Sequence, residues 1–230
     1  MCSSDLASEL KVDQESWKVA GMQGSGSKTL YSDEPIFIPE HRALAVMDIM
    51  TDATPGREIP GNVQSLYNFA TFGCLFLVAP VLGGAQGAID WFESAMRDKV
   101  KISLKPGAKA TAAENPEAQQ RAGEAQARLD AAIAMLMTDV APLEVKVMAG
   151  EMLTVDERIR IRRAAGFGAQ QGRAIVNMLM ESAGASAAYL DVPIQRFWRD
   201  INVGANHTSL DAGRSEEHTS ELQSPMYLVC

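Results

Sequence analysis

The stretch Pro193-Ile-Gln-Arg-Phe-Trp-Arg-Asp-Ile-Asn-Val-Gly-Ala-Asn-His-Thr-Ser-Leu210 reads as one amphipathic helix that closes on a histidine. Ile194, Trp198, Ile201, Ala205 and Thr208 recur at steps of three and four and share one face, which suits packing in a helix bundle. His207 comes nine residues after Trp198, so at about 100° per residue it points to the opposite face, provided the helix stays regular past Gly204. An imidazole there can change charge near neutral pH, as expected of a helix that lines a cleft. A purely structural helix-end histidine is the competing reading. Arg196 and Asp200, four apart, are expected to pair along the helix.

The ends of the chain carry a different signature. Arg214-Ser-Glu-Glu-His-Thr-Ser-Glu-Leu-Gln-Ser224 has no apolar period and reads as an in-frame translation of a sequencing-library adapter that begins AGATCGGAAGAGC. Met1-Cys-Ser-Ser-Asp-Leu6 reads as the tail of the opposite adapter, and an ordinary polar tail is the bland alternative. Residues 1–6 and 214–230 are therefore set aside as adapter-like scars, and residues 7–213 are expected to be an insert from a longer gene. The whole chain carries 21 basic and 29 acidic residues, a net charge of −8. The insert keeps 20 and 25, a net charge of −5, which argues against nucleic-acid binding. Cys2 and Cys230 fall in the scars. The one remaining cysteine, Cys74, cannot form an intramolecular disulfide, so a reducing, cytoplasmic setting is expected.

Inward from these ends, residues 7–40 carry β and turn signals: Trp17-Lys-Val, Gly21-Met-Gln-Gly-Ser-Gly-Ser27, Thr29-Leu-Tyr and Ile36-Phe-Ile. They predict a piece of antiparallel sheet too small to stand alone. Gly24-Ser-Gly-Ser27 lacks the Lys-Ser/Thr of a P-loop and reads as a turn between strands. Residues 41–63 are a connector with a short helix at 41–50. Residues 64–213 are helical. A long apolar helix over 66–101 breaks at Lys105-Pro-Gly107. A second begins at Asn115-Pro116, with Asn115 as cap, a stripe of Leu129, Ile133, Leu136, Val140, Leu143 and Val147, and an expected kink at Pro142. Thr154-Val-Asp-Glu157 is a capping box that starts a third, running to about Ser182. With the helix from Pro193, these predict an antiparallel four-helix bundle preceded by a fragment of a β-domain.

Residues 66–89 hold no charge over more than 20 positions, long enough to span a bilayer. Asn68, Pro80, Gln86 and the Gly83/Gly87 pair suit the buried central helix of a bundle better. Cys74 inside this helix is expected to be a buried thiol, and His41 a surface or cap residue. No spacing of His, Cys and carboxylates predicts a metal site. The cluster Arg158, Arg160, Arg162 and Arg163 is expected on a solvated face or paired with Asp156 and Glu157.

Three segments together resemble the acyl-CoA dehydrogenase superfamily. Trp17-Lys-Val-Ala-Gly-Met-Gln-Gly-Ser-Gly-Ser27 followed by Ile36-Phe-Ile-Pro-Glu-His41 is similar to the end of its β-domain. Ala79-Pro-Val-Leu-Gly-Gly-Ala-Gln-Gly-Ala88 is similar to the first helix of its C-terminal bundle, and Asp191-Val-Pro-Ile-Gln-Arg-Phe-Trp-Arg-Asp200 to the start of the last. Many dehydrogenases of this superfamily carry a catalytic carboxylate after the Arg-Asp pair. Counted from Arg199-Asp200 that position falls at or beside Thr208, where Asn206-His-Thr-Ser209 offers none. A hydroxyl cannot replace that base, since its pKa is far from neutral.

An Arg-Asp helix closing on a histidine resembles instead the flavin-dependent monooxygenase branch, which includes two-component hydroxylases of phenols. That resemblance implies reduced flavin, FMN ahead of FAD, supplied by a separate NAD(P)H-dependent flavin reductase. It implies a flavin hydroperoxide that hydroxylates an aromatic substrate, and a homotetramer with neither membrane nor nucleic acid as partner. His207 is then the expected catalytic group, assisting through the phenol proton. Tyr67, Phe69, Phe72 and Thr208 are the candidate substrate contacts, with plain core packing as the alternative for the aromatics. Ser25 and Ser27 are candidates for flavin contact. An acyl-CoA dehydrogenase-like flavoenzyme and a non-catalytic helical assembly domain are the alternatives.

Overall fold

A computed structural model describes residues 8–51, 53–98, 100–102, 109–211 and 227–229. The adapter-like residues 1–6, and 214–230 apart from 227–229, lie outside the described residues, as does Lys105-Pro-Gly107. Strand β1 (Lys11–Asp13) pairs antiparallel with β2 (Thr29–Tyr31), and β3 (Ala43–Ala45) precedes the short helix α1 (Val46–Met50). Next come α2 (Phe69–Asp98), a hairpin of β4 (Val100–Ile102) and β5 (Lys109–Thr111), and α3 (Pro116–Met148). Helices α4 (Val155–Ala183) and α5 (Pro193–Gly204) follow, and β6 (Tyr227–Val229) pairs with β3.

The four long helices among the described residues alternate in direction. Gln86 of α2 bonds Gln126 of α3, Asp139 of α3 pairs with Arg160 of α4, and Asn177 of α4 bonds Trp198 of α5. Their shared core holds Val78, Ile89, Phe92, Leu129, Ile161 and Ile175 with almost no exposure. Each large aliphatic side chain buried this way contributes about 1.5–3 kcal/mol. Helix α2 is long and apolar enough to cross a membrane over Thr71–Arg97, and one face of it, with Val78, Leu82, Ala85, Ile89 and Phe92, packs into the core of this bundle. Asn68 starts it. The Asn68 Oδ1 accepts from the Thr71 N–H at 2.8 Å, and Nδ2 donates to the Met50 carbonyl at 3.2 Å, tying α1 to α2.

Several expectations shift. Trp17-Lys-Val and Ile36-Phe-Ile are not strands. The Trp17 indole instead donates to the Met22 carbonyl at 3.3 Å, and no described strand stands beside 36–38 to complete a ladder. Thr29–Tyr31 is a strand, but its partner is Lys11–Asp13. The predicted helix at 41–50 is halved by β3. Asn115 takes the N-cap backbone geometry without a side-chain cap bond.

On α3 the inward row is Ala125, Leu129, Ala132, Asp139, Leu143 and Val147, and Ile133 of the predicted stripe is 41% exposed. Ile133 lies about 100° around the helix from the buried Ala132 and so falls outside the inward row. Gly83 and Gly87 do not act as a pair. A Cβ on Gly83 would meet nothing, whereas Gly84 and Gly87 face Ile201 and Phe197 of α5.

The capping box forms as read. The Thr154 Oγ1 accepts from the Glu157 N–H at 3.3 Å, and Glu157 accepts from the Thr154 N–H at 2.7 Å. Lys146 of α3 adds an ion pair at 2.9 Å. These bonds hold the Glu157 carboxyl down to about 2, the Thr154 backbone bond first and the Lys146 bond next, below the usual 4.5. Its stabilising contribution is complete above the usual value and is lost as pH falls through about 2. Glu157→Gln is expected to lower the melting temperature near pH ~6 and to match the parent near pH ~2. Thermal melts followed by circular dichroism at the two pH values check this.

Candidate active site

Helix α5 stops at Gly204, three residues short of the expected histidine. Ala205 closes it by donating back to the Ile201 carbonyl at 2.9 Å, and the His207 N–H bonds the Gly204 carbonyl at 3.1 Å. His207 then turns extended, with φ −61° and ψ 135°, and heads a one-turn 3-10 helix over Thr208–Leu210 that is anchored by buried Leu210. His207 therefore lies on a capping turn and not on the far face of a regular helix. Thr208 is exposed rather than on the apolar face with Ile194 and Ile201. Trp198, also expected on that face, is 37% exposed, with its indole N–H donating to the Asn177 Oδ1 at 2.6 Å.

The His207 imidazole stands at the surface of the single chain. Its Nδ1 accepts from the Ser209 N–H at 3.2 Å. With Nδ1 engaged, Nε2 is the ring nitrogen left to meet a ligand. The turn is braced from α4. The Arg173 guanidinium donates to the Asn206 Oδ1 at 2.7 Å, and the Asn206 Nδ2 donates to the Asn202 carbonyl at 2.9 Å. Arg173 carried no signal in the sequence, because its partner is 33 residues away.

Tyr67, Phe69 and Phe72 do come together. With Ile49, Leu75, Phe76, Val140 and Glu144 they line a cavity of about 630 Å³ between α2 and α3. That volume lies within the range of small-ligand sites. The Tyr67 and Phe72 rings meet edge to face, with centroids 4.9 Å apart. The Tyr67 hydroxyl donates to the Glu144 Oε1 at 3.2 Å. Burial pushes the Tyr67 phenol above its usual range, and the charge of Glu144 adds to the rise. Phe69 and Phe76, at 66% and 76% exposed, form apolar lips. Glu144 was missed by the sequence reading, since it lies outside the apolar stripe of α3. His207, Thr208, Ser25 and Ser27 do not line this cavity.

Ser25 and Ser27 lie on an exposed turn between β1 and β2. The Ser25 Oγ donates to the Met22 carbonyl at 2.8 Å. Met22 takes a left-handed conformation, φ 54°, and its N–H donates to the Asp200 Oδ1 at 2.6 Å, while the Arg199 guanidinium donates to the Ala20 carbonyl at 2.9 Å. The Arg-Asp pair of α5 thus clamps the β fragment onto the bundle. Asp200 also keeps the expected partner Arg196 at 3.6 Å. Beside the clamp, Met22, Pro80, Val81, Arg196, Phe197 and Ile201 line part of a second cleft of about 440 Å³.

The remaining candidates are structural. Cys74 is buried, donates to the Thr71 carbonyl at 3.0 Å, and is pushed up to about 11 by that burial. His41 is exposed. Arg160 does not pair with Asp156 or Glu157. It reaches α3, where its guanidinium bonds Asp139 at 2.7 Å, because Asp139 is 6% exposed and needs a cation. Among the described residues no group of three His, Cys, Asp or Glu is placed to hold a metal ion.

A family model described as acyl-CoA dehydrogenase, C-terminal domain, matches residues 75–212, more than half of the chain. The chain belongs to this family. Within it the similarity runs to oxygenases. The oxygenase subunit HsaA of a flavin-dependent monooxygenase from Rhodococcus jostii is 32% identical over 201 residues, covering 86% of this chain and 51% of HsaA. The oxygenase component of an FADH(2)-dependent resorcinol hydroxylase from a Rhizobium species is 30% identical over 204 residues, covering 86% and 49%. The crystal structure of 3-HSA hydroxylase from Rhodococcus sp. RHA1 superposes with a TM-score of 0.79 at 30% identity, covering 90% of this chain and 52% of that one. The chain spans about half the length of the curated relatives it matches.

In this acyl-CoA dehydrogenase-type bundle the clamp leaves no room for a side chain at residue 21. A Cβ on Gly21 would stand 2.2 Å from the Arg199 carbonyl oxygen. Gly21→Ala is expected to undock the 17–27 turn at a cost on the order of 2–3 kcal/mol. Hydrogen exchange at the Met22 amide should rise by at least about tenfold while the α2 amides keep their protection.

Proposed function

We propose that this chain supplies the helical part of the oxygenase component of a reduced-flavin-dependent monooxygenase, which hydroxylates a phenolic substrate. The observation that carries the reading is the segment Asn206-His-Thr-Ser209. It holds no carboxylate and presents an imidazole whose free edge is Nε2. The similarity to HsaA and the resorcinol hydroxylase component supports the same reading.

Ser25 and Ser27 are the residues proposed to meet a flavin, since they lie exposed on the same glycine-bearing turn. These serines would meet the polar edge of the flavin. When bound, reduced flavin supplies the activated oxygen. The chain's own groups do the rest. Tyr67, Phe69 and Phe72 bind and orient the aromatic ring; His207 and Thr208, which do not line that cavity within the single chain, act on the ring only where the homotetramer proposed below brings them to it. His207 draws off or hydrogen-bonds the phenol proton, which makes the ring more electron-rich.

We further propose a cytoplasmic homotetramer that works with a separate NAD(P)H-dependent flavin reductase. The support for assembly is the set of apolar side chains left exposed, Phe37, Tyr189 and Leu190 among them. An acyl-CoA dehydrogenase-like flavoenzyme is the second reading, favoured by the family itself, and it requires a base outside residues 206–209.

The test joins the chain to its upstream coding sequence and supplies a flavin reductase, NADH and simple phenols. Hydroxylated product measured by mass spectrometry is expected. His207→Ala should lower kcat by about 10²- to 10⁴-fold, with flavin affinity retained. Unchanged turnover in that variant removes the assigned role. Bleaching of bound oxidised flavin by an acyl-CoA under anaerobic conditions would favour the second reading. Reduced FMN is expected to support turnover better than reduced FAD, although one relative's name specifies FADH(2). Parallel assays with each reduced flavin decide between them.

A further inference from the structure

The cavity between α2 and α3 is walled mainly by aromatic and aliphatic side chains, with Thr54 and Ser65 at its polar part, and among the described residues that line it Glu144 is the one charged group. No Lys, Arg or His is among those described lining residues. The Glu144 Oε1 accepts from the Tyr67 hydroxyl at 3.2 Å, and the Tyr67 ring is fixed edge-on against Phe72, so the carboxylate is held at the mouth beside the lips Phe69 and Phe76. Its second oxygen, Oε2, accepts no hydrogen bond among the described residues. A ligand that enters past the lips therefore meets a mostly apolar slot whose one charged acceptor among the described lining residues is Glu144.

The geometry points to Glu144 as the charge selector of this cavity. It admits aromatic compounds that bear a neutral hydroxyl or an amine cation and turns away aromatic carboxylates. This rests on the reading of Tyr67, Phe69 and Phe72 as the wall that binds the aromatic ring. A hydroxyl or ammonium group finds a partner in Oε2. A carboxylate meets a like charge with no cation nearby to offset it. Glu144 is exposed to water at the mouth, so the discrimination is modest, about three- to tenfold, and salt screens it. A purely steric preference would not respond to salt.

The experiment titrates the chain with phenol, tyramine and 4-hydroxybenzoate by calorimetry near neutral pH, at low and at high salt. Three proteins are compared: the parent, Glu144→Gln and Gly73→Leu. Gly73 lines the cavity, and a Cβ there meets only the Phe69 ring at 3.8 Å, so a leucine fills the slot without a backbone clash. The parent is expected to bind tyramine most tightly and 4-hydroxybenzoate least, with the spread narrowing at high salt. Glu144→Gln should erase the spread, and Gly73→Leu should weaken all three. If all three bind and Glu144→Gln leaves their order and salt response unchanged, the selector role is overturned and the aromatic wall stands. If none binds, or Gly73→Leu changes nothing, the wall fails and the selector falls with it.

Discussion

Helix α2 is apolar on most of its circumference, so its neighbours must come close enough to exclude water, and glycine sets how close. A Cβ on Gly172 of α4 would stand 2.7 Å from the Val81 side chain, and one on Gly87 would stand 2.8 Å from the Phe197 ring. Gly84 gives Ile201 its seat in the same way. At such separations dispersion contacts are dense and a single methyl group has nowhere to go. The position of α5 follows from these contacts. Once Ile201 and Phe197 are seated, Arg199 and Asp200 face the Ala20–Met22 backbone, and the helix end at Gly204 lies over Val81. The His207 turn is thus placed by packing far from the imidazole.

Polar groups sit where this packing leaves room. Asp139 is buried on the inner row of α3, and Arg160 covers it from α4. Replacing Arg160 would leave the buried Asp139 with Arg163, at 3.9 Å, as its nearest cation. Arg173 and Asn206 bridge α4 to the His207 turn, and Asn177 joins Trp198 to α4. Each bond links elements whose spacing the glycines have already set.

The helical architecture was legible because its signals are local. The Thr154–Glu157 box, Pro116 and Pro193 in first turns, and the long uncharged run at 66–89 each act within a few residues. The β fragment was read less well, because strand pairing depends on a partner. Lys11–Asp13 has little β character and pairs only because Thr29–Tyr31 lies beside it. The site was partly legible. An aromatic cluster at 67, 69 and 72 on a helix start is a local pattern, and it does line one cavity. Glu144 and Arg173 enter through contacts across 77 and 33 residues, which no spacing rule detects. The end of α5 was misjudged because Ala205 and Thr208 continue the apolar rhythm, while Gly204 and the capping bonds of Ala205 stop the backbone.

The Met22 amide and the Asp200 carboxylate are separated by 178 positions. On a translating ribosome the 17–27 turn emerges long before its anchor on α5 exists. Until α5 follows, the left-handed Met22 and the close approach at Gly21 lack their Asp200 and Arg199 contacts. The fragment of sheet therefore waits, unlatched, until α5 leaves the exit tunnel, and local folding of the bundle has to come first. A premature stop before Asp200 would leave the β portion unfastened even where the first three long helices had already found one another.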